Sequence, residues 1–195
     1  MLINTKLFTK TVLKPFVLDQ NAKLTNTSLI IIGLIAGILR VHLRYPLNIP
    51  GHHGLEWMSL LLFGKLLSTN RQAATILSIS AATGYILQSP LSSMQQNMTP
   101  VLVFLFSGWC IDFLMNNFPN KEIKIWICAL LGGMVFILKP ILMYVPYILV
   151  EWKIGMFTKH PDYLPFVSHF LFGAAGSALG TFMALTMTEK ADNSI

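Results

Sequence analysis

What this sequence has little of is charge. Its 195 residues hold fourteen Lys and Arg and eight Asp and Glu, or 11% charged positions, while 54% are apolar. An ordinary soluble domain covers itself with about 25% charged residues, so a soluble globular fold is excluded as the simple reading. Cysteine is nearly absent too. Cys110 and Cys128 each sit inside an apolar stretch, which leaves no disulfide framework and no CxxC metal motif. No Ser-centred nucleophile elbow, no Gly-rich loop ending in GK[ST] and no closely spaced pair of carboxylates can be found. A catalytic domain and an ATPase of the chain's own are therefore not expected.

What the chain does have is six apolar segments: Ser28 to Leu43, Leu55 to Ser68, Ala73 to Leu91, Thr99 to Asn116, Ile125 to Val150, and Phe166 to Thr188. They are apolar all round, as helices in lipid should be. Six spans of about 20 residues take about 120 residues and leave only short loops. The expectation is an all-α membrane protein, a compact six-helix bundle over residues 28–190, preceded by a basic interfacial segment at 1–27 and followed by a tail at 191–195. The second segment, at about 14 residues, is short enough to be re-entrant or only partly spanning. In the fifth, Lys139 precedes Pro140 and Pro146 follows, which predicts a kink or break.

A net charge of +6 could suit a nucleic acid, but the cations are scattered between apolar runs rather than clustered. They read better as orientation signals, because Lys and Arg accumulate in cytoplasmic loops. With the N-terminus inside, the inner side receives Lys6, Lys10, Lys14, Lys23, Lys65, Arg71, Lys121, Lys124 and Lys190. The outer side receives Arg40, Arg44, Lys139, Lys153 and Lys159. This bias places both termini in the cytoplasm and the protein in the cell's inner (plasma) membrane.

An ionisable side chain inside a membrane costs about 2.5 to 3.5 kcal/mol if it faces lipid, so it tends to face the bundle or a cavity. In the orientation above, Arg40, His52, His53, Glu56, Tyr85, Gln88, Lys139 and His169 all fall in the outer half. They form the expected substrate-binding lining. Asp112 is the main polar residue of the inner half. Arg44, Trp152 and Lys153 read as interfacial anchors, Arg40 can also snorkel outward, and His169 can equally be a packing residue. Between Arg44 and Trp57, Pro46 and Pro50 exclude helix while Gly51 and Gly54 permit tight turns. This stretch can serve as a cavity wall or as a turn that starts a helix. His52, His53 and Glu56 lack the helical spacing of a metal site, so no metal is expected. Cations and histidines outnumber the acid, which favours an anionic or carboxylate-bearing ligand.

Small residues recur at Gly33 and Gly37 and from Gly173 to Gly180. Such faces let helices approach closely, either within the chain or against another membrane subunit.

The size, the six segments and several strings together resemble the substrate-binding S component of an energy-coupling factor (ECF) transporter, with the biotin-type layout. The strings are GLIAGILRV at 33–41, Ile49-Pro50-Gly51, LLLFGKLL at 60–67 and RQAA at 71–74, and the likeness covers residues 28 to 92. It implies capture of a vitamin-like molecule or cofactor precursor from outside. It also implies docking onto a transmembrane coupling subunit with ATP-binding cassette subunits, which would use the ATP; no cofactor is implied in this chain. Gly33 and Gly37 stand where the family carries a small-residue docking motif. The run from Leu164 to His169 departs from the Asp and Lys pattern of the biotin-type members, and Leu2 replaces the histidine of the cobalt and nickel relatives. The rival expectation is a membrane-embedded scaffold that binds another integral protein through its small-residue faces.

Overall fold

A computed structural model describes residues 24–42, 49–88, 99–117, 125–149 and 155–192. The basic segment through Lys23, and with it Lys6, Lys10 and Lys14, lies outside the described residues. So do Arg44, Lys121, Lys124, Glu151, Trp152 and Lys153. All regular structure among the described residues is helical: α1 (Asn26–His42), α2 (His53–Leu67), α3 (Ala73–Gln88), α4 (Thr99–Asn117), α5 (Ile125–Phe136), α6 (Leu138–Leu149), the single turn α7 (Gly155–Thr158) and α8 (Tyr163–Asp192).

Local chemistry sets the boundaries. The Thr25 hydroxyl accepts from the Ser28 amide at 3.2 Å and its carbonyl from the Leu29 amide at 3.0 Å, so α1 begins two residues earlier than its apolar run. Its final helix, α8, starts at Tyr163, ahead of the expected Phe166. Pro165 is no obstacle there, because in the first turn of a helix its missing N–H would be unsatisfied anyway. Pro140 does break the fifth segment. It cannot donate to the Phe136 carbonyl one turn back, and α5 and α6 part at Ile137. The flanking bonds survive, from the Ile137 amide to Gly133 at 3.0 Å and from the Ile141 amide to Ile137 at 3.3 Å.

The first two helices run in opposite directions. Leu24 donates to the Leu67 carbonyl at 2.9 Å and Asn70 Nδ2 to Asn26 Oδ1 at 2.8 Å, so the start of α1 meets the end of α2. At the other end Arg40, from α1, lies over Phe104 near the start of α4. The bundle thus has an Arg40 end and a Lys65 end. Its helices form two packs, α1 on α3 on α4, and α2 on α8 on α5, joined along α2 with α3 and α4 with α5.

Glycine makes both packs tight. A Cβ on Gly37 would overlap the Ala81 carbonyl of α3, and one on Gly176 would meet the carbonyls of Gly54 and Leu55 at 2.5 Å. In lipid, where apolar side chains gain little by leaving one apolar surface for another, such backbone approach is what holds helices together. Large apolar side chains point outward instead, among them Leu102, Trp109, Phe113, Trp126, Leu171 and Phe182. A soluble monomer does not tolerate so much exposed apolar surface.

Three helices are long and apolar enough to cross a membrane: Thr99–Asn117, Ile125–Leu149 taken through the Ile137 break, and Tyr163–Thr188. The helices α1, α2 and α3 have 17, 15 and 16 residues, so at about 1.5 Å per residue each falls short of the roughly 30 Å of a bilayer core. The short second helix is also the most enclosed: Trp57, Met58, Leu61, Leu62 and Lys65 are all buried. It is a central packing element.

Candidate functional site

The polar chemistry divides between the two ends. At the Lys65 end, Lys65 Nζ lies 2.7 Å from Asp112 Oδ1, both side chains being buried. Its other two protons go to the Arg71 carbonyl at 2.6 Å and to Asn116 Oδ1 at 3.1 Å. Asp112 also accepts from the amides of Ala74 at 3.3 Å and Thr75 at 2.7 Å, which caps the start of α3 and places a carboxylate at the positive end of its dipole. Asn116 Nδ2 closes the ring onto the Arg71 carbonyl at 2.8 Å. Lys65, expected as a cation of the inner side within the second segment, is therefore a core residue and carries no orientation signal of its own. Its packing partner could not be read from the sequence.

At the Arg40 end an aromatic floor comes first. Trp57 and Phe104 lie 4.4 Å apart between ring centroids and Tyr85 meets Phe104 edge-on at 6.4 Å. Trp57 Nε1 donates to Ser107 Oγ at 2.7 Å, which anchors the floor. The Arg40 guanidinium lies over the Phe104 ring at 5.3 Å, within cation–π range. Beside the floor runs a groove of about 570 Å³ between α1 and α2, with Phe104 and Met183 also on its walls. Its lining is apolar except for Arg40, Glu56 and Ser59.

The histidines gather nearby. Gly51 has a φ of 86°, a left-handed conformation that suits glycine, and any Cβ there would press on the backbone and ring of His169. This turn seats His52 against α8. His52 Nδ1 donates to the Ile49 carbonyl at 2.7 Å and His169 Nδ1 to the Pro165 carbonyl at 2.6 Å. A carbonyl only accepts, so each Nδ1 bears a proton, and in the neutral form of such a ring Nε2 is the acceptor. Both Nε2 atoms are buried and have no hydrogen-bond partner. His169 stacks on Phe136 at 5.3 Å and 25°. Lys139 lies within electrostatic range of both Arg40 and His169, and His52 within range of His169. His53 Nδ1 is 3.8 Å from Glu56 Oε2.

Of the eight residues expected to line a binding site, Arg40, His52, Lys139 and His169 thus form one electrostatic cluster. Glu56 lines the groove with His53 3.8 Å from it, Tyr85 belongs to the aromatic floor, and Gln88 is half-buried at the end of α3. Among the described residues no group of three or more His, Cys, Asp or Glu is placed to hold a metal. Phe104 escaped the sequence reading; one phenylalanine in a uniformly apolar helix carries no signal that it will floor a site.

The small-residue faces are occupied. Gly33 and Gly37, expected as a docking surface, meet Leu77, Ser80, Ala81 and Tyr85 of α3, and Gly173, Gly176 and Gly180 meet α5 and α2. The docking faces expected under the ECF resemblance, at Gly33 and Gly37, and under the scaffold reading are thus packed within the chain. Two hydroxyls, Ser78 and Ser177, also lack partners; each is pressed against a glycine of the neighbouring helix, Gly108 or Gly132, in the middle of a pack.

All-helical secondary structure with several long apolar helices defines the class: the chain fits a helical membrane protein. No family model, no curated protein and no solved structure matches it.

Proposed function

We propose that this chain is the substrate-capture subunit of an ECF-type transporter, crossing the inner membrane six times with both termini in the cytoplasm. It takes up a vitamin-like small molecule or cofactor precursor, and ATP hydrolysis in partner cassette subunits, joined through a transmembrane coupling subunit, drives release.

The observation that carries the reading is the pair of unpartnered imidazole nitrogens of His52 and His169, with Lys139 in electrostatic range of His169. A buried acceptor left unsatisfied costs about 1–3 kcal/mol. A fold that satisfies the Lys65–Asp112 network but leaves these two nitrogens open, with a cation in range of one of them, supports an occupant there. The cations suit a carboxylate or other anionic group, and the Nε2 atoms accept from its N–H or O–H donors. Intramembrane polar residues facing an interior are also where transport sites are found.

The test is thermal unfolding of the purified chain in nanodiscs against a panel of vitamins and their precursors. A compound at a hundred times its Kd adds about 2.7 kcal/mol, a readily measured shift that Lys139→Gln should remove. No shift across the panel, and no metabolite retained in native mass spectrometry, would count against the proposal.

A further inference from the structure

The open nitrogen of His169 is enclosed, so an occupant reaches it only if something moves. His169 is fully buried. Gly51 packs against it, Phe136 stacks on its ring at 5.3 Å, and Lys139 of α6 lies within electrostatic range. Two of the helices around it are sealed to α8 backbone to backbone. A Cβ on Gly176 would meet the Gly54 and Leu55 carbonyls of α2 at 2.5 Å, and one on Gly173 the Gly132 carbonyl of α5 at 2.8 Å. Interfaces as tight as these leave no slack for a passage.

The helix α6 is held differently. It contains no glycine and meets α7 and α8 through aromatic rings. Between centroids Tyr144 is 5.1 Å from Phe157 and 5.4 Å from Phe166, and Tyr147 is 5.2 Å from Phe157. Phe157, in the single turn α7, is 3% exposed and also lies 5.9 Å from Phe166, which makes it the shared ring of a clasp. Such rings can part without dragging backbone past backbone. At its other end α6 hangs from Ile137, whose N–H bonds back to Gly133 and whose carbonyl accepts from Ile141. Pro140 has no N–H to tie α6 to the Phe136 carbonyl, and helices bend at such breaks. On the far side Ile141, Leu142, Ile148 and Leu149 are exposed, so none of the described helices blocks an outward swing.

We infer that α6 is the gate of the capture site: it swings about Ile137, is held shut by the clasp of Tyr144, Phe157 and Phe166, and in opening carries Lys139 away from His169. This rests on the capture reading and adds the moving part that reading needs.

Diethyl pyrocarbonate acylates an unprotonated imidazole nitrogen, so it reports each opening that bares Nε2 of His169. The experiment treats the full chain in nanodiscs and follows each histidine by peptide mass spectrometry, with the half-buried His160 as internal standard. Slow modification of His169 is expected. Phe157→Ala should speed it about tenfold or more, because every lost ring pair weakens the closed state, with His160 unchanged. In a chain carrying Cys110→Ala and Cys128→Ala, a short reducible bis-thiosulfonate bridge between Tyr144→Cys and Phe166→Cys should protect His169, and reduction should restore the reaction. Should the bridged chain fold poorly, Phe157→Ala and the milder Phe157→Leu decide alone. A His169 rate indifferent to these changes would place the opening elsewhere, and a His169 that reacts in no form would mean that α6 stays shut; either overturns the inference. A panel compound that stabilises the bridged and reduced chains equally also overturns it, while leaving the capture reading standing. The expected histidine rates with no stabilising compound in the panel would uphold the gate and defeat the capture reading.

Discussion

At the Lys65 end all three ammonium protons have acceptors and the facing carboxylate has three donors, whereas at the Arg40 end the buried His169 and the half-buried His52 each hold a buried Nε2 with no hydrogen-bond partner. Both ends place costly groups inside an apolar bundle. The difference is in who completes them. The first network is closed by the chain itself and ties α2, α3 and α4 together. The second is closed on its backbone side, through Nδ1, and open on the other. A closed network specifies structure, and the open one is what the proposed capture function would use.

That contrast can be broken from either side. Asp112→Ala leaves Lys65 charged and buried and removes the cap of α3. Loss of one member of a buried pair costs about 3–5 kcal/mol, so little monodisperse protein should survive mild heating before size-exclusion chromatography. Gly37→Leu forces α1 away from the Ala81 carbonyl. Overpacking of this kind costs about 1–3 kcal/mol, and the same assay should show a clear fall in unfolding temperature without a change in ligand preference. Trp57→Phe gives up the 2.7 Å bond to Ser107, worth about 1 kcal/mol, and should lower stability slightly. The smallest stability effect belongs to His169→Phe. The lost bond to Pro165 is offset by removal of an unsatisfied nitrogen, so stability should stay within about 1 kcal/mol, while ligand-induced stabilisation disappears. A collapse of His169→Phe comparable to that of Asp112→Ala would erase the distinction between the two ends.

Much of the architecture was legible in the residues. Low charge and long apolar runs announced helices for a membrane, and Pro140 placed a break that the structure sets at Ile137, one turn before it. Alternating segment direction put Arg40, His52, His53, Glu56, Tyr85, Gln88, Lys139 and His169 in one half of the bundle, though Lys139 stands in the middle of its segment rather than at an end. What the sequence could not show is pairing. Lys65 and Asp112 are on different helices, and taken singly they read as an inner-side cation and an isolated acid. The small residues of α1 advertise a close contact but not with whom; α3 fills it. The tautomer of His169 depends on the Pro165 carbonyl one helical turn away, so a residue counted among cationic groups becomes an acceptor. The groove is a space between α1 and α2, and no periodicity within either helix defines it.

The most direct test compares the chain and its His169→Phe variant, both folded in nanodiscs, for retention of the panel compound that stabilises the unaltered protein most. Native mass spectrometry should find that compound on the chain and not on the variant, with unfolding temperatures of the two ligand-free proteins close together. Equal retention by both would contradict the account, since the open nitrogens would then have no part in binding.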